Sequence, residues 1–217
     1  MKLKECENFW VLGLFLGAVG LLSALVLALV SDLTAPKIKA AEQRAQKAAL
    51  AQLQFGNFDN DPTREKCEFD GVTFMAVRSK GKLVGIAAET EAKGYGGTIR
   101  ELVGFKPDGT ITAVVVTEEH ETPGLGKNVC ERKFQKTIFN FLKPMPPGLP
   151  PNPILDQFSG KKAGDRIDWR VARDGGNFEY RTGATVTSRA VTGMTGKAAT
   201  AFAAHRAEIL KMFPEVK

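Results

Sequence analysis

From Arg181 to Ser188 the chain runs Arg-Thr-Gly-Ala-Thr-Val-Thr-Ser, with small residues and hydroxyls gathered where a helical pattern begins. Such a junction suits a phosphate, because N–H groups at a helix start lack partners and the helix dipole favours negative charge. Gly183 and Ala184 keep bulky side chains away from Thr185. The same residue types also suit an ordinary helix cap, with Thr182, Thr187 or Ser188 as the capping side chain. On residue types alone both readings stand.

Two other segments have the makings of a ligand contact. In His120-Glu121-Thr122-Pro123-Gly124-Leu125-Gly126, Pro123 fixes one φ angle and Gly124 permits a positive one, so the loop is shaped in advance. A Pro-Gly turn that merely closes a strand has the same composition. In Gly94-Tyr95-Gly96-Gly97 the glycines let backbone approach a ligand and Tyr95 offers a ring for stacking. A loop with a surface tyrosine is the alternative.

Several other chemistries are not supported. Gly126-Lys127 lacks the earlier glycine and the following Ser or Thr of a nucleotide-binding P-loop, and Gly94-x-Gly96-Gly97 is not the dinucleotide fingerprint. Cys6, Cys67 and Cys130 are far apart with no Cys-x-x-Cys, so no zinc or iron–sulfur site is expected. Cys67 and Cys130 are either a disulfide or two buried thiols. Thirty Lys and Arg against 24 Asp and Glu give a net charge of +6. The basic residues are dispersed, with no tract or aromatic-interleaved stripe, which argues against nucleic acid.

The elements that must position these residues follow from hydrophobic pattern. Asn8 to Ser31 carries no charge and is almost wholly apolar; as a helix its 24 residues reach about 36 Å, enough for a bilayer. It is too long and uniform for a cleaved leader, so a retained anchor is expected. Lys2 and Lys4 precede it while Lys37, Lys39, Arg44 and Lys47 follow, so charge alone leaves orientation open. Thr34 to Leu53 reads as a helix continuing the anchor, and Phe55 to Lys66 as loop. Strands are predicted at Val72–Arg78, Leu83–Ala88, Arg100–Phe105 and Thr110–Val116, joined by hairpin turns at Ser79–Lys82 and Lys106–Gly109. Asn128–Leu142 has helical spacing, proline-rich Lys143–Pro153 is an extended loop, and Ile167–Val171 is a further candidate strand. Asp174-Gly175-Gly176 is a turn. Thr187 to about His205 is a helix whose Gly193 and Gly196 allow close packing. The class is α+β: an anchor (1–31), a helical stalk and loop (32–66), and a domain (67–217) with an antiparallel sheet and flanking helices.

The anchor, the His120–Gly126 loop and Thr182-Gly183-Ala184-Thr185 together resemble the FMN-binding G subunit of the Rnf, or Rsx, electron-transport complexes. The C subunit of the sodium-pumping NADH:quinone reductase is a close relative and an alternative. The family motif is Asp-x-x-Ser/Thr-Gly-Ala-Thr, here with Glu179 in place of Asp. The resemblance implies FMN joined by a phosphoester to Thr185. It also implies a cofactor site that includes Thr182, Gly183, Ala184, Thr187, Glu121, Thr122, Gly124, Leu125 and Gly126, to which the glycine loop, on its residue types, adds Tyr95 and Gly97. It implies an electron relay within an ion-translocating ferredoxin:NAD oxidoreductase, without a catalytic residue or metal of its own. Expected partners are the other subunits, a flavin transferase and the bilayer, with the N-terminus inside and the domain outside the cytoplasm. A reading of a different class is a non-redox extracytoplasmic sensor with a similar domain.

Overall fold

A computed structural model describes residues 9–134 and 148–214. The chain divides into two compact units, one ending at Ala45 and the other beginning at Gln46.

Helix α1 (Phe9–Gln52) runs unbroken through the apolar segment and the Ala-rich one, as the pattern predicts, and contains Pro36. Its 29-residue stretch Trp10–Ile38 holds an 18-residue window of mean hydropathy 2.5, and is long and apolar enough to cross a membrane. Trp10, Leu14, Leu21 and Leu27 are exposed along it, an arrangement that lipid favours and water does not. Ser23 and Thr34 donate to the carbonyls of Val19 and Val30 at 2.9 and 2.8 Å, so their hydroxyls do not face hydrocarbon unpaired.

In the second unit the chain forms a five-stranded antiparallel meander in the order β1 (Lys66–Phe69), β2 (Val72–Ser79), β3 (Lys82–Lys93), β4 (Thr98–Phe105) and β5 (Ile111–Glu118). The pattern predicts four of these strands; β1 is additional. It is closed onto β2 by Asp70-Gly71, where both φ angles are positive (53° and 66°), the geometry of a two-residue hairpin turn. Lys80-Gly81 repeats it at 51° and 78°.

Both faces of the sheet are covered. Val72, Phe74, Ile86, Val103, Phe105 and Val114 pack beneath helix α4 (Thr185–Met212) through Val191, Ala198 and Phe202. Met75, Val77, Ala87, Leu102, Ala113 and Val115 face Ala49, Leu50 and Leu53 from the end of α1. Burial on both faces explains why the strands are nearly continuous apolar runs without alternation. The loop 93–98, the exit of β5 and the start of α4 lie at one end of this layer, and Arg100 ties the three strands there by bonds to Glu91 (3.1 Å) and Glu118 (2.9 Å).

Two expectations are corrected. The helix predicted over Asn128–Leu142 is, among described residues, only the single turn α2 (Lys127–Cys130), with Glu131 already extended; positions 135–142 lie outside the described residues, as does 143–147 of the proline-rich loop. Arg132 is drawn inward to bond the carbonyls of Val114 and Pro150 and the carboxylate of Asp156, while Asn152 donates to the carbonyls of Asn128, Val129 and Glu131. Asn152 also caps the short helix α3 (Pro153–Asp156). These bonds outweigh a weak helical periodicity. Nor is Ile167–Val171 a strand: only Val171 forms a bridge, to Phe178. Trp169 instead stacks on Phe178 at 5.1 Å and rests on Gly196 of α4, where a Cβ would lie 2.7 Å from the indole Cγ. Aromatic packing, not a ladder, holds this segment.

Candidate functional site

The Thr-Gly-Ala-Thr turn enters α4 through Gly183, whose φ of +83° is the left-handed region that glycine tolerates. Ala184 stands at the cap position, and no side chain caps the helix. Ser188 instead fastens the turn, donating to the Ala184 carbonyl at 2.9 Å and accepting the Arg181 N–H at 3.2 Å. The capping reading of Thr182, Thr187 and Ser188 therefore fails. Among the described residues the N–H groups of Thr185, Val186 and Thr187 have no acceptor, so the positive end of the dipole is left for an anion.

Beside this turn, Glu121 is buried, 5% exposed. One carboxylate oxygen accepts from the N–H groups of Tyr95 (2.8 Å) and Gly96 (3.1 Å); the other accepts from the Thr187 hydroxyl at 2.7 Å. A single side chain thus joins the loop after β3, the loop after β5 and the first turn of α4. Glycines make room for it. A Cβ on Gly94 or Gly126 would collide with its carboxylate, and one on Gly96 with the His120 carbonyl.

Around this junction opens a cavity of about 490 Å³, a volume suited to a small-molecule cofactor. Of the residues singled out from sequence, it brings together Tyr95, Glu121, Thr122, Leu125, Gly126, Gly183, Ala184, Thr185 and Thr187; Gly97, Gly124 and Thr182 do not line it. Arg173 and Val186 line it although the sequence does not single them out. Arg173 belongs to a short 3-10 turn, Ala172–Asp174, between the segment read as a strand and the one read as a turn. Its Nη1 donates to Thr185 Oγ1 at 3.2 Å. A basic residue in a segment with no regular pattern gives no sequence signal of this role. Tyr95, 75% exposed, and Leu125, 44% exposed, supply the flat and apolar surfaces of the mouth.

Electrostatics sort the acidic and thiol groups nearby. Glu101 on β4 is fully buried without a cation against it, which pushes its affinity for a proton up to about 8; Thr195 donates to one oxygen at 2.9 Å. Cys67 and Cys130 are both buried, free thiols. Burial, with Glu119, Glu121 and Glu101 adding to it, pushes the Cys130 thiol up to about 12.

An uncapped helix start, an arginine on the adjoining hydroxyl and a mostly apolar cavity suit a phosphorylated, ring-bearing cofactor. Residues 94–200 match the FMN-binding domain and residues 1–53 match the RnfG N-terminal region. The chain is a single-pass membrane protein bearing an FMN-binding domain. It is 37% identical over 212 residues to the G subunit of the ion-translocating oxidoreductase complex of Cereibacter sphaeroides, a match spanning 94% of this chain and 89% of that protein. The protein of the same name from Haemophilus influenzae is 32% identical over 213 residues, spanning 94% and 95%. The chain belongs to this RnfG family, whose members are G subunits of ion-translocating oxidoreductase complexes. The crystal structure of Shewanella oneidensis NqrC aligns with a TM-score of 0.43 at 20% identity, covering 70% of this chain and 74% of that one, a remote likeness.

Proposed function

We propose that this chain carries one FMN, esterified through its phosphate to Thr185, and relays electrons within a ferredoxin:NAD-type ion-translocating complex from the extracytoplasmic face of the membrane. The observation that carries the reading is the Thr185 hydroxyl itself, half-buried on the cavity wall in the first turn of a helix with no side-chain cap. The N–H groups there suit the charge that a phosphodiester retains, a stabilisation of roughly 0.3–2 kcal/mol.

The residues present fit the group. Thr185 holds the ester, Gly183 and Ala184 leave space beside it, and Leu125 and Tyr95 flank the room for the ring. Glu121 and Thr187 are committed to one another, so they keep the cavity in shape; Thr187 is a poor alternative acceptor because its hydroxyl is buried and already donated. FMN supplies the electron chemistry, while this chain tunes it through burial and hydrogen bonds. A covalent link keeps the cofactor at high local concentration where a dissociated one would be lost. Maturation calls for a flavin transferase outside the cytoplasm, and the anchor holds the domain among its partner subunits.

Intact mass of the chain purified from native membranes tests this directly. An FMN adduct is expected on the peptide containing Thr185, together with flavin fluorescence that survives SDS and disappears in Thr185→Ala. An unmodified peptide in cells that contain the transferase would sink the reading.

A further inference from the structure

On the reading that Thr185 is the esterified residue, we propose that Arg173 selects and orients its hydroxyl for flavin transfer and afterwards holds the phosphodiester. Three threonines stand at the turn, yet their surroundings differ. Thr187 is buried and donates to Glu121. Thr182 is exposed and does not line the cavity. Thr185 lines it and receives the guanidinium of Arg173 at 3.2 Å.

Arg173 is set apart from its neighbours by charge. Arg170 is paired with Asp168, with bonds of 2.8 and 2.5 Å. Arg189 is paired with Asp174 through two bonds of 2.6 Å. Arg173 forms no ion pair at bonding distance among the described residues, although the adjacent Asp174 carboxylate, itself bonded to Arg189, feels its charge; its one side-chain bond is to Thr185. The Asp174–Arg189 pair also fastens the Ala172–Asp174 turn to α4, which places Arg173 beside the helix start. The single carboxylate lining the cavity among the described residues, Glu121, already accepts from three donors. The Arg173 guanidinium thus bonds this hydroxyl, and three N–H groups without acceptors lie in the same first turn; their common complement is a phosphate.

The step balances with a flavin dinucleotide as donor. The Thr185 oxygen forms a bond to the phosphorus of the flavin half. The bond from that phosphorus to the bridging oxygen breaks, and the nucleoside monophosphate leaves with the electron pair. The hydroxyl proton goes to a base on the transferase. Because Arg173 donates to the oxygen, the threonine proton must point elsewhere, toward that base. The negative charge left on the diester stays beside the guanidinium.

Full-length chain isolated without flavin, then incubated with transferase and flavin dinucleotide, reports the rate of SDS-stable flavin incorporation. Arg173→Ala is expected to slow incorporation at least tenfold, with unchanged thermal unfolding because the side chain is exposed. Arg173→Lys should recover part of the rate, since it keeps the charge and loses the planar fork; a purely structural role would show no such graded rescue. Full-rate labelling of Arg173→Ala, with Thr185→Ala unlabelled, overturns the role of Arg173 and leaves the acceptor intact. Labelling of Thr185→Ala removes the acceptor, and this inference with it.

Discussion

The Thr187 hydroxyl lies 2.7 Å from the Glu121 carboxylate, a bond across 66 positions of sequence that closes the cavity wall against α4. Since Glu121 also accepts from Tyr95 and Gly96, replacing it with alanine strands the buried Thr187 hydroxyl and two part-buried N–H groups. Glu121→Ala should lose about 3 kcal/mol of stability and Thr187→Val about 2 kcal/mol. Sharing one bond, the two changes should be less than additive in chemical unfolding of the full chain in detergent. Additive losses would mean that the bond contributes nothing of its own.

The two glycines flanking Leu125 should differ in tolerance. Gly124 has φ +80° with nothing near its missing Cβ, so Gly124→Ala meets backbone strain alone, about 1–2 kcal/mol. At Gly126 a Cβ would strike the Glu121 carboxylate and come within 2.7 Å of Thr187 Oγ1. Gly126→Ala should therefore break the junction, lowering the melting temperature well beyond Gly124→Ala and reducing flavin incorporation. Equal effects would show that strain, not packing, governs this loop.

Glu101 predicts a pH dependence with a definite sign. Burial raises its proton affinity in the folded state from the ordinary 4.5 to about 8. Below 4.5 the group is protonated in both states and contributes nothing. Between 4.5 and 8 only the folded state holds the proton, so stability falls as pH rises, reaching a penalty of about 3 kcal/mol near pH 7. Above 8 the penalty is complete. Glu101→Gln should match the native chain at about pH 4 and exceed it increasingly toward pH 8. A constant difference across that range would show that the carboxyl is not protonated in the fold.

The anchor and β2 to β5 are legible because each rests on a local signal, an apolar run or a two-residue turn. β1 escapes the pattern although Asp70-Gly71 is itself such a signal; four residues after a polar loop carry too little periodicity to stand out. Within the site, Thr185, Glu121 and Tyr95 are visible through their glycine-rich surroundings and through resemblance. Resemblance sets Glu121 among the cofactor contacts, yet both its oxygens are spent on the protein, which only tertiary pairing reveals. Arg173 is illegible for the same reason, since its position depends on Trp169 stacking and on the Asp174–Arg189 pair. The short α2 shows the converse. Among the described residues, the predicted helix stops at Cys130, where Arg132 and Asn152 take carbonyl partners distant in sequence.

Cys130 offers a check on the packing behind the cavity. Its thiol is pushed up to about 12, first by burial and then by Glu119, Glu121 and Glu101, so essentially no thiolate is available at about pH 8. Cys67 is buried and shifted in the same direction by burial. In a Cys6→Ser background, the folded chain should resist iodoacetamide at that pH and take up label at Cys67 and Cys130 only on unfolding. Glu121→Ala, by loosening the neighbouring junction, should admit the reagent to Cys130 before Cys67. Rapid labelling of Cys130 in the intact chain would mean that the wall beneath the cavity opens readily, and that the fixed geometry assigned to Thr185 does not hold.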